Sequence, residues 1–329
     1  MNGHTIAILG AGSWGTAIAI HLAKHNHHVI LWGKDTQHMR ELEKNRVNER
    51  YLSGITFPDS LQVVTSLDDC QDKATDLVLA VPSHAFEQLI KQLHPPASGI
   101  AWLTKGLNPG DNQLLSQVVA HYWGEHFSSA IISGPSFATE VAKGLPTALT
   151  LASNNSFYQK KIQRIFHHDN LRIYLSHDLV GVQLCGAVKN VIAIACGISD
   201  GLGHGANARA ALVTRGLVEM RRLGLALGAR YETFQGLSGL GDMVLTCTDN
   251  QSRNRRFGLL LGQGENSITA EKQIGQIVEG KQNARQVCEL ATHHQIEMPI
   301  CTQVYLLLEH KITPQQAVVN LMSRAVDVE

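Results

Sequence analysis

The chain has few aromatic residues, which make up 5% of its 329 residues, and it has no excess of either charge. Lysine and arginine together number 28, as do aspartate and glutamate, so the formal net charge is zero. No global positive field is therefore available to attract nucleic acid or an acidic membrane surface. An anion site must be built from a few placed residues, and we expect no nucleic-acid partner.

The sequence also lacks a CxxC pair and an uninterrupted apolar run of membrane-spanning length. Its six cysteines are irregularly spaced, which favours reduced thiols and a cytoplasmic protein. The first residues, MNGHTIAILGAG, lack the basic region and apolar run of a signal peptide. Residues 180–198 could span a bilayer by length, but Gln183, Lys189 and Asn190 interrupt them. We therefore expect a core helix there and no membrane insertion.

Short apolar runs alternate with helical patterns in the first half of the chain, which is typical of a parallel sheet with crossover helices. Strand patterns fade after residue 176, and helical stretches follow. The sequence predicts an α/β fold: an N-terminal Rossmann-like, mostly parallel sheet domain over 1–177 and a C-terminal all-helical domain over 178–329. Strands are predicted at 5–9, 28–32, 62–65, 76–81, 100–104, 130–133, 147–152 and 171–175, and helices up to about 26 and over 40–51 and 156–166.

A GxGxxG turn, GAGSWG at residues 10–15, directly follows the first predicted strand and opens a helix. Gly10, Gly12 and Gly15 permit a tight turn and close backbone approach, and the helix N-terminus offers free N–H groups to a pyrophosphate. In this context the pattern predicts a dinucleotide site. A purely structural glycine turn is the weaker alternative.

The end of the second predicted strand bears on the choice of cofactor. Proteins that bind NAD usually place an acidic residue there, for the ribose 2′-OH. Here Gly33 occupies that position, followed by Lys34 and Asp35. A small residue beside a cation leaves room for a 2′-phosphate, so we expect NADPH to be preferred, with NADH as the other candidate. In the alternative interpretation, Lys34 is simply solvated and Asp35 shifts into place.

Several residues that could bind an anion follow predicted strands or lie in the second half. Lys105 follows one strand, and Gly134 and Ser136 follow the next. Ligands of open α/β sheets bind at such strand ends. Residues 252–256, SRNRR, combine three arginines with Ser and Asn, a composition that suits a phosphate clamp. A basic run is more often a solvated helix face.

Lys189 is the only formal charge in residues 180–198. An ionised lysine in an apolar helix either snorkels to the surface or needs a partner. Burial and a neighbouring cation, for which Lys105 is a candidate, would lower its pKa towards the working pH and suit it to acid/base chemistry. His21 and His25 lie four apart on a predicted helix near His27 and His28, but no HExxH pattern accompanies them, so we predict no metal site.

Together these segments resemble the bacterial NAD(P)-dependent glycerol-3-phosphate dehydrogenases. The glycine-rich turn is shared with many dehydrogenases, whereas the block at 239–257 is long enough to be specific. The matching blocks are GAGSWGT at 10–16, TKGL at 104–107, ISGPSFA at 132–138, GVQLCGAVKNVIA at 181–193, GANAR at 205–209, GLGDMVLTCTDNQSRNRRF at 239–257 and GQIVEG at 275–280.

The resemblance implies reversible reduction of dihydroxyacetone phosphate to sn-glycerol 3-phosphate by a cytoplasmic homodimer that supplies glycerophospholipid synthesis. It implies that Lys189 is the acid/base. The implied substrate site comprises Lys105, Gly134, Ser136, Lys189, Asp242, Ser252, Arg253 and Asn254. The implied cofactor site comprises Gly10, Gly12, Ser13, Trp14, Gly15, Lys34, Lys105, Ala138, Arg253, Ile277 and Glu279. A β-hydroxyacid or sugar-acid dehydrogenase and a non-catalytic nicotinamide nucleotide sensor are the alternatives.

Overall fold

An eight-stranded sheet dominates the first of two compact units in the computed structural model, which describes residues 5–324. Its strand order is β10-β9-β8-β7-β6-β1-β2-β5, and every neighbouring pair is parallel except β8 and β9. The strands are β1 (Thr5–Leu9), β2 (His28–Trp32), β5 (Leu61–Val64), β6 (Asp76–Leu79), β7 (Ile100–Trp102), β8 (Ser129–Ser133), β9 (Thr147–Ser153) and β10 (Leu171–Ser176), with a separate antiparallel pair of β3 (Val47–Asn48) and β4 (Leu52–Thr56).

Two apolar layers bury the sheet between helices. Successive residues of β1 alternate between them: Ile6 and Ile8 belong to one cluster, and Ala7 and Leu9 to the other. A strand buried on both faces has no polar alternation, which explains the continuous apolar runs in the sequence. The helices of this unit are α1 (Ser13–Lys24), α2 (Thr36–Asn45), α3 (Leu67–Lys73), α4 (Ser83–Ile90), α5 (Leu115–Trp123), α6 (Ala138–Lys143) and α7 (Ser156–Phe166).

The predicted helix over 40–51 is wrong in its second half. Helix α2 ends because Arg46 adopts a left-handed φ of 56° and its N–H bonds to Leu42 O. The Arg46 guanidinium then donates to the carbonyls of Pro58, at 2.6 Å, and Leu61, at 2.8 Å. These contacts fix Arg46, and the chain after it forms the β3–β4 pair instead of continuing as helix.

The second unit contains Pro109–Asn112 and the described chain from Gln183 onwards, and its regular structure is helical throughout that described part. The predicted fold class is therefore confirmed. The two units divide within α8, and the expected domain boundary at 177/178 stays a prediction. The helices are α8 (Leu179–Gly201), α9 (Ala206–Ala226), α10 (Tyr231–Gln235), α11 (Asp242–Thr248), α12 (Arg253–Gly262), α13 (Ser267–Ile274), α14 (Glu279–His293), α15 (Pro299–Leu308) and α16 (Pro314–Met322), with a π-helical turn at Leu237–Gly241.

Helices α8 and α12 pack backbone against backbone. A Cβ at Gly197 would lie 2.1 Å from Arg255 O, and one at Gly258 would lie 2.1 Å from Ile194 O. Only glycine permits so close an approach, and the contact fixes where α12 begins relative to the middle of α8. Helix α8 is long and apolar enough to cross a membrane, but 89% of its most apolar window is buried within the protein.

Candidate functional site

The glycine-rich turn joins β1 to α1 in the sheet unit. Gly10 has a φ of +132°, and a Cβ there would lie 2.5 Å from Ala80 O, while one at Gly15 would lie 2.0 Å from Gly10 O. Gly12 differs, because a Cβ on it would meet no atom within 4 Å among the described residues. Gly12 is the N-cap of α1, and no side chain caps that helix. The turn therefore presents open space at a helix N-terminus that no side chain caps, and helix N-termini of this kind bind a pyrophosphate.

The end of β2 packs closely against the same turn. A Cβ on Gly33 would lie 2.8 Å from Met39 Sδ and 3.1 Å from the Ala11 side chain. Lys34 is exposed. Asp35 instead caps α2 by accepting a hydrogen bond from His38 N at 3.1 Å, and it pairs with the exposed Arg50 at 3.6 Å.

Three predicted anion-binding residues lie together after β7 and β8. Lys105 Nζ donates to Gly134 O at 3.1 Å, and the Ser136 hydroxyl donates to the same carbonyl at 3.1 Å. Because β7 and β8 are parallel neighbours, their carboxyl ends meet at one edge of the sheet. Ala138 begins α6 two residues after Ser136 and is half-buried.

Lys189 is buried in α8, with 5% of its surface exposed, so the snorkelling interpretation is wrong. Its Nζ donates to Asp242 Oδ1 at 2.6 Å and to the Thr246 hydroxyl oxygen at 3.0 Å. The Thr246 hydroxyl in turn donates to Asp242 O at 2.6 Å. A buried ammonium is stable when ionic and hydroxyl partners replace its water, and here both come from α11.

The local fold explains why the carboxylate lies there. The π-helical turn Leu237–Gly241 brings Gly239 so close to the preceding helix that a Cβ would lie 2.3 Å from Phe234 O. Asp242 then opens α11, where the helix dipole favours a negative side chain. A hydrogen bond to Cys196, together with burial, raises the pKa of the nearby Cys247 thiol well above its usual value. Cys247 is therefore a neutral thiol beside the ion pair and no nucleophile.

A chain of amides connects the residue after Lys189 to two other helices. Asn190 Oδ1 accepts from Asn254 Nδ2 at 2.9 Å, and Asn190 Nδ2 donates to Asn283 Oδ1 at 3.2 Å. Asn254 Oδ1 accepts from Gly280 N at 2.9 Å. These bonds place the first turn of α12 and the first turn of α14 beside the middle of α8.

The N-terminus of α12 carries most of the predicted phosphate clamp. Ser252 is its N-cap, and the Ser252 hydroxyl oxygen accepts a hydrogen bond from Arg255 N at 3.2 Å. Arg253 is half-buried and donates to Gln276 Oε1 at 3.2 Å. Helix N-termini attract anions, and a guanidinium adds two further donors.

The predicted clamp of three arginines is corrected at Arg255. Arg255 is buried, and its guanidinium pairs with Asp200 Oδ2 at 2.5 Å and also bonds to Asn250. Arg256 is exposed. The arginines of this run therefore have different partners. Arg255 binds Asp200 inside the protein, and Arg253 lies next to Asn254 and donates to Gln276.

Each unit thus gathers its own set of predicted residues. In the helical unit, Ile277 directly follows Gln276, and Glu279 opens α14 beside the Asn254–Gly280 bond. In the sheet unit, Ser13 and Trp14 form the first turn of α1 after Gly12. Sequence reasoning gave no role to Thr246, Gln276 or Arg50. Thr246 could have been found from its spacing, since it lies four residues after Asp242 and shares its helix face.

Comparison with known proteins gives matches over nearly the whole chain. A family model described as NAD-dependent glycerol-3-phosphate dehydrogenase N-terminus matches residues 5–158, and its C-terminus counterpart matches residues 178–319. A glycerol-3-phosphate dehydrogenase (NAD(P)+) of Legionella pneumophila (strain Paris) is 60% identical over 329 residues, with 100% of both chains covered. One of Bartonella quintana (strain Toulouse) is 50% identical, covering 100% of this chain and 98% of the relative. The crystal structure of glycerol-3-phosphate dehydrogenase from Coxiella burnetii has a TM-score of 0.95 and 50% identity, covering 98% of this chain and 99% of that one.

Replacing Asp242 by Ala should lower the free energy of unfolding by about 3–5 kcal/mol, because the buried ammonium of Lys189 loses its counter-ion. The double variant Asp242→Ala/Lys189→Met should recover part of that loss, since it removes the uncompensated charge. Urea denaturation followed by circular dichroism measures both. Equal stability of the single and double variants would contradict a buried ion pair.

Proposed function

The chain belongs to the NAD-dependent glycerol-3-phosphate dehydrogenase family, and on that premise we propose that it interconverts dihydroxyacetone phosphate and sn-glycerol 3-phosphate by reversible hydride transfer. The observation that carries the proposal is the buried Lys189–Asp242 pair. Asn190 and Asn254 connect that pair's helix to the anion-binding N-terminus of α12. An acid and a phosphate site are the two groups that a phosphorylated ketone requires from the protein.

The residues of the sheet unit fit a nicotinamide dinucleotide. Gly12 leaves the space that a pyrophosphate needs, and the uncapped N-terminus of α1 supplies N–H donors. Gly10, Ser13, Trp14, Gly15, Lys34, Lys105 and Ala138 in this unit, and Arg253, Ile277 and Glu279 in the other, are the proposed cofactor contacts. When bound, the nicotinamide supplies or accepts the hydride.

Lys189 acts as the acid and base at the substrate oxygen. In the reducing direction, negative charge develops on the carbonyl oxygen, and the Lys189 ammonium stabilises it and donates a proton. In the oxidising direction, the Lys189 amine accepts the hydroxyl proton. Asp242 and Thr246 hold Nζ in a fixed position, so no reorganisation is needed when charge appears.

The phosphate of the substrate is the proposed ligand of Ser252, Arg253 and Asn254 at the start of α12. Asn254 is oriented by Asn190 and Gly280, and Arg253 by Gln276. Lys105, Gly134 and Ser136 are the proposed substrate contacts from the sheet unit. Binding energy at the phosphate positions the distant carbonyl, so its loss should reduce turnover as well as affinity.

We propose NADPH as the preferred nicotinamide, with NADH as a weaker alternative. Support comes from Asp35, whose carboxylate caps α2 and pairs with Arg50 rather than standing free for a ribose 2′-OH. Lys34 and Arg50 are both exposed cations near the end of β2. Two cations and a small Gly33 suit a 2′-phosphate.

We also propose a cytoplasmic homodimer that supplies glycerophospholipid synthesis, without a nucleic-acid partner and without membrane insertion. The six cysteines are free and buried, as in proteins of a reducing compartment. A formal net charge of zero gives no general attraction for nucleic acid. The burial of α8 supports a core helix.

Replacing Lys189 by Met should reduce kcat for dihydroxyacetone phosphate by about 10²–10⁴-fold, because the proton donor is lost. NADPH affinity, measured by fluorescence titration, should be unchanged. Lys281→Met, a surface lysine paired with Glu271, is the matched control and should keep full turnover.

Nicotinamide absorbance followed with dihydroxyacetone phosphate and either NADPH or NADH tests the whole proposal. No oxidation with either cofactor would overturn it. Turnover of a β-hydroxyacid or sugar acid instead would favour the alternative dehydrogenase, and cofactor binding without any turnover would favour a nucleotide sensor.

Replacing Arg253 by Ala should lower kcat/KM for dihydroxyacetone phosphate by about 10–150-fold, the value of a charge-assisted hydrogen bond. The phosphate-free analogue dihydroxyacetone should lose far less. Arg256→Ala, which removes an exposed arginine from the same helix, should leave both substrates nearly unaffected. Equal losses for the two substrates would contradict a phosphate contact at Arg253.

Replacing Lys34 by Glu should raise KM for NADPH by about tenfold or more and leave KM for NADH nearly unchanged, because the carboxylate repels only a 2′-phosphate. Steady-state kinetics with both cofactors measure the ratio. Lys44→Glu, an exposed change of equal charge in α2, is the control. A parallel change for both cofactors would count against the assignment of Lys34.

A further inference from the structure

Three histidine rings converge where α1 and α7 end. His21 lies in the last turn of α1, His25 is the C-cap of that helix, and His168 follows α7 by two residues. One ring nitrogen from each lies within 4.8 Å of the others. Ring centroids are 4.5 Å apart for His21 and His25, 5.3 Å for His21 and His168, and 4.0 Å for His25 and His168. All three residues belong to the sheet unit.

The hydrogen bonds of these rings leave nitrogen lone pairs available. His21 is 2% exposed, and its Nε2 and that of His168 have no hydrogen-bond partner within residues 5–324. The backbone of Phe166 acts on the pKa of His21, and the backbone of Ile165 acts on that of His168. His25 Nδ1 is 2.8 Å from His21 O. That backbone contact fixes the tautomer in which Nε2 of His25 can bind a metal.

Burial favours the neutral form of the His21 and His168 rings. Burial, with the neighbouring His25 and His168, lowers the pKa of His21 to about 3. Burial, with His25 and His27, lowers that of His168 to about 4. Both rings are then unprotonated at pH 7. Lys24, the nearest lysine acting on His21, donates to Ala142 O at 2.9 Å.

The helix dipoles of α1 and α7, like the nitrogen lone pairs, favour a cation at the three histidines. Helix α1 ends at Lys24 and α7 at Phe166, so both helices end beside the three histidines. The C-terminus of a helix carries a partial negative charge of about half an elementary charge. Two such ends at one cluster favour a positive ion there.

We propose that His21, His25 and His168 form a binding site for a divalent transition metal that prefers imidazole, with Zn²⁺ as the representative ion. Three histidines and one open position for water are an established tetrahedral donor set. Metal–nitrogen bonds of about 2.0–2.1 Å place tetrahedral ligands about 3.4 Å apart, so the ring nitrogens must approach one another by at most about 1.4 Å. His25 and His168 are half-buried.

The sequence predicted no metal site because no HExxH pattern accompanies His21 and His25. The third ligand, His168, follows the C-terminus of α7 and is too distant in sequence to belong to such a pattern. Bound Zn²⁺ would tie the end of α1 to the end of α7 and stabilise the sheet unit by mass action.

Zinc titration of the chelator-treated, full-length protein tests the proposal. Isothermal titration calorimetry of the wild type should show one high-affinity site per chain, and Zn²⁺ should raise the unfolding temperature. His168→Gln and His25→Gln should each weaken binding at least tenfold and abolish the temperature shift. His28→Gln, which replaces an exposed histidine of the same cluster in sequence, should behave like the wild type.

Two results would overturn the site. One is wild-type affinity retained in both His168→Gln and His25→Gln, and the other is an equal loss in His28→Gln. Co²⁺ substitution gives an independent measurement, since a tetrahedral site produces an intense visible absorption band that an octahedral surface site does not. Absence of that band in the wild type would also contradict the proposed geometry, whether or not a variant unfolds.

Discussion

The buried ion pair between Lys189 and Asp242 joins α8 to α11 in the interior of the helical unit. Removing an ammonium and a carboxylate from water costs several kcal/mol for each ion, and a 2.6 Å contact offsets that cost only if the partners are held accurately. Thr246 and the dipole at the start of α11 provide part of that support. Apolar residues of similar volume would stabilise such a core at least as well. The pair is therefore better explained by chemistry than by stability.

The glycine contact between α8 and α12 places α12 beside the helix that carries Lys189. Because the two backbones touch at Gly197 and Gly258, the first turn of α12 must lie beside the middle of α8. The amides of Asn190 and Asn254 then connect them, and Gly280 N brings in α14. Lys189 and the N-terminus of α12 are thus held in one connected framework. In the proposed function, preorganisation of this kind positions a small phosphorylated substrate.

Both units present a helix N-terminus where the proposed function places an anion, and the chain needs no net positive charge for this. In the sheet unit it is the uncapped N-terminus of α1 at Gly12, and in the helical unit it is the N-terminus of α12 at Ser252. Backbone N–H groups and helix dipoles supply local positive potential that composition does not reveal. One of the three arginines beside Ser252 serves another purpose, since Arg255 pairs with Asp200.

The sequence by itself determined the strands of the sheet, the glycine-rich turn and the isolation of Lys189, because each is recorded in the spacing of neighbouring residues. Local patterns carry that information, since strand and helix periods repeat within a few positions. Only the tertiary structure decided that Asp242, 53 residues away, would be the partner of Lys189. The pairing of Arg255 with Asp200 and the end of α2 before Arg46 also depend on tertiary contacts. The same is true of the position of His168 beside His21 and His25. Such choices depend on which distant helices pack together, and packing is set by shape across the whole core rather than by any one segment.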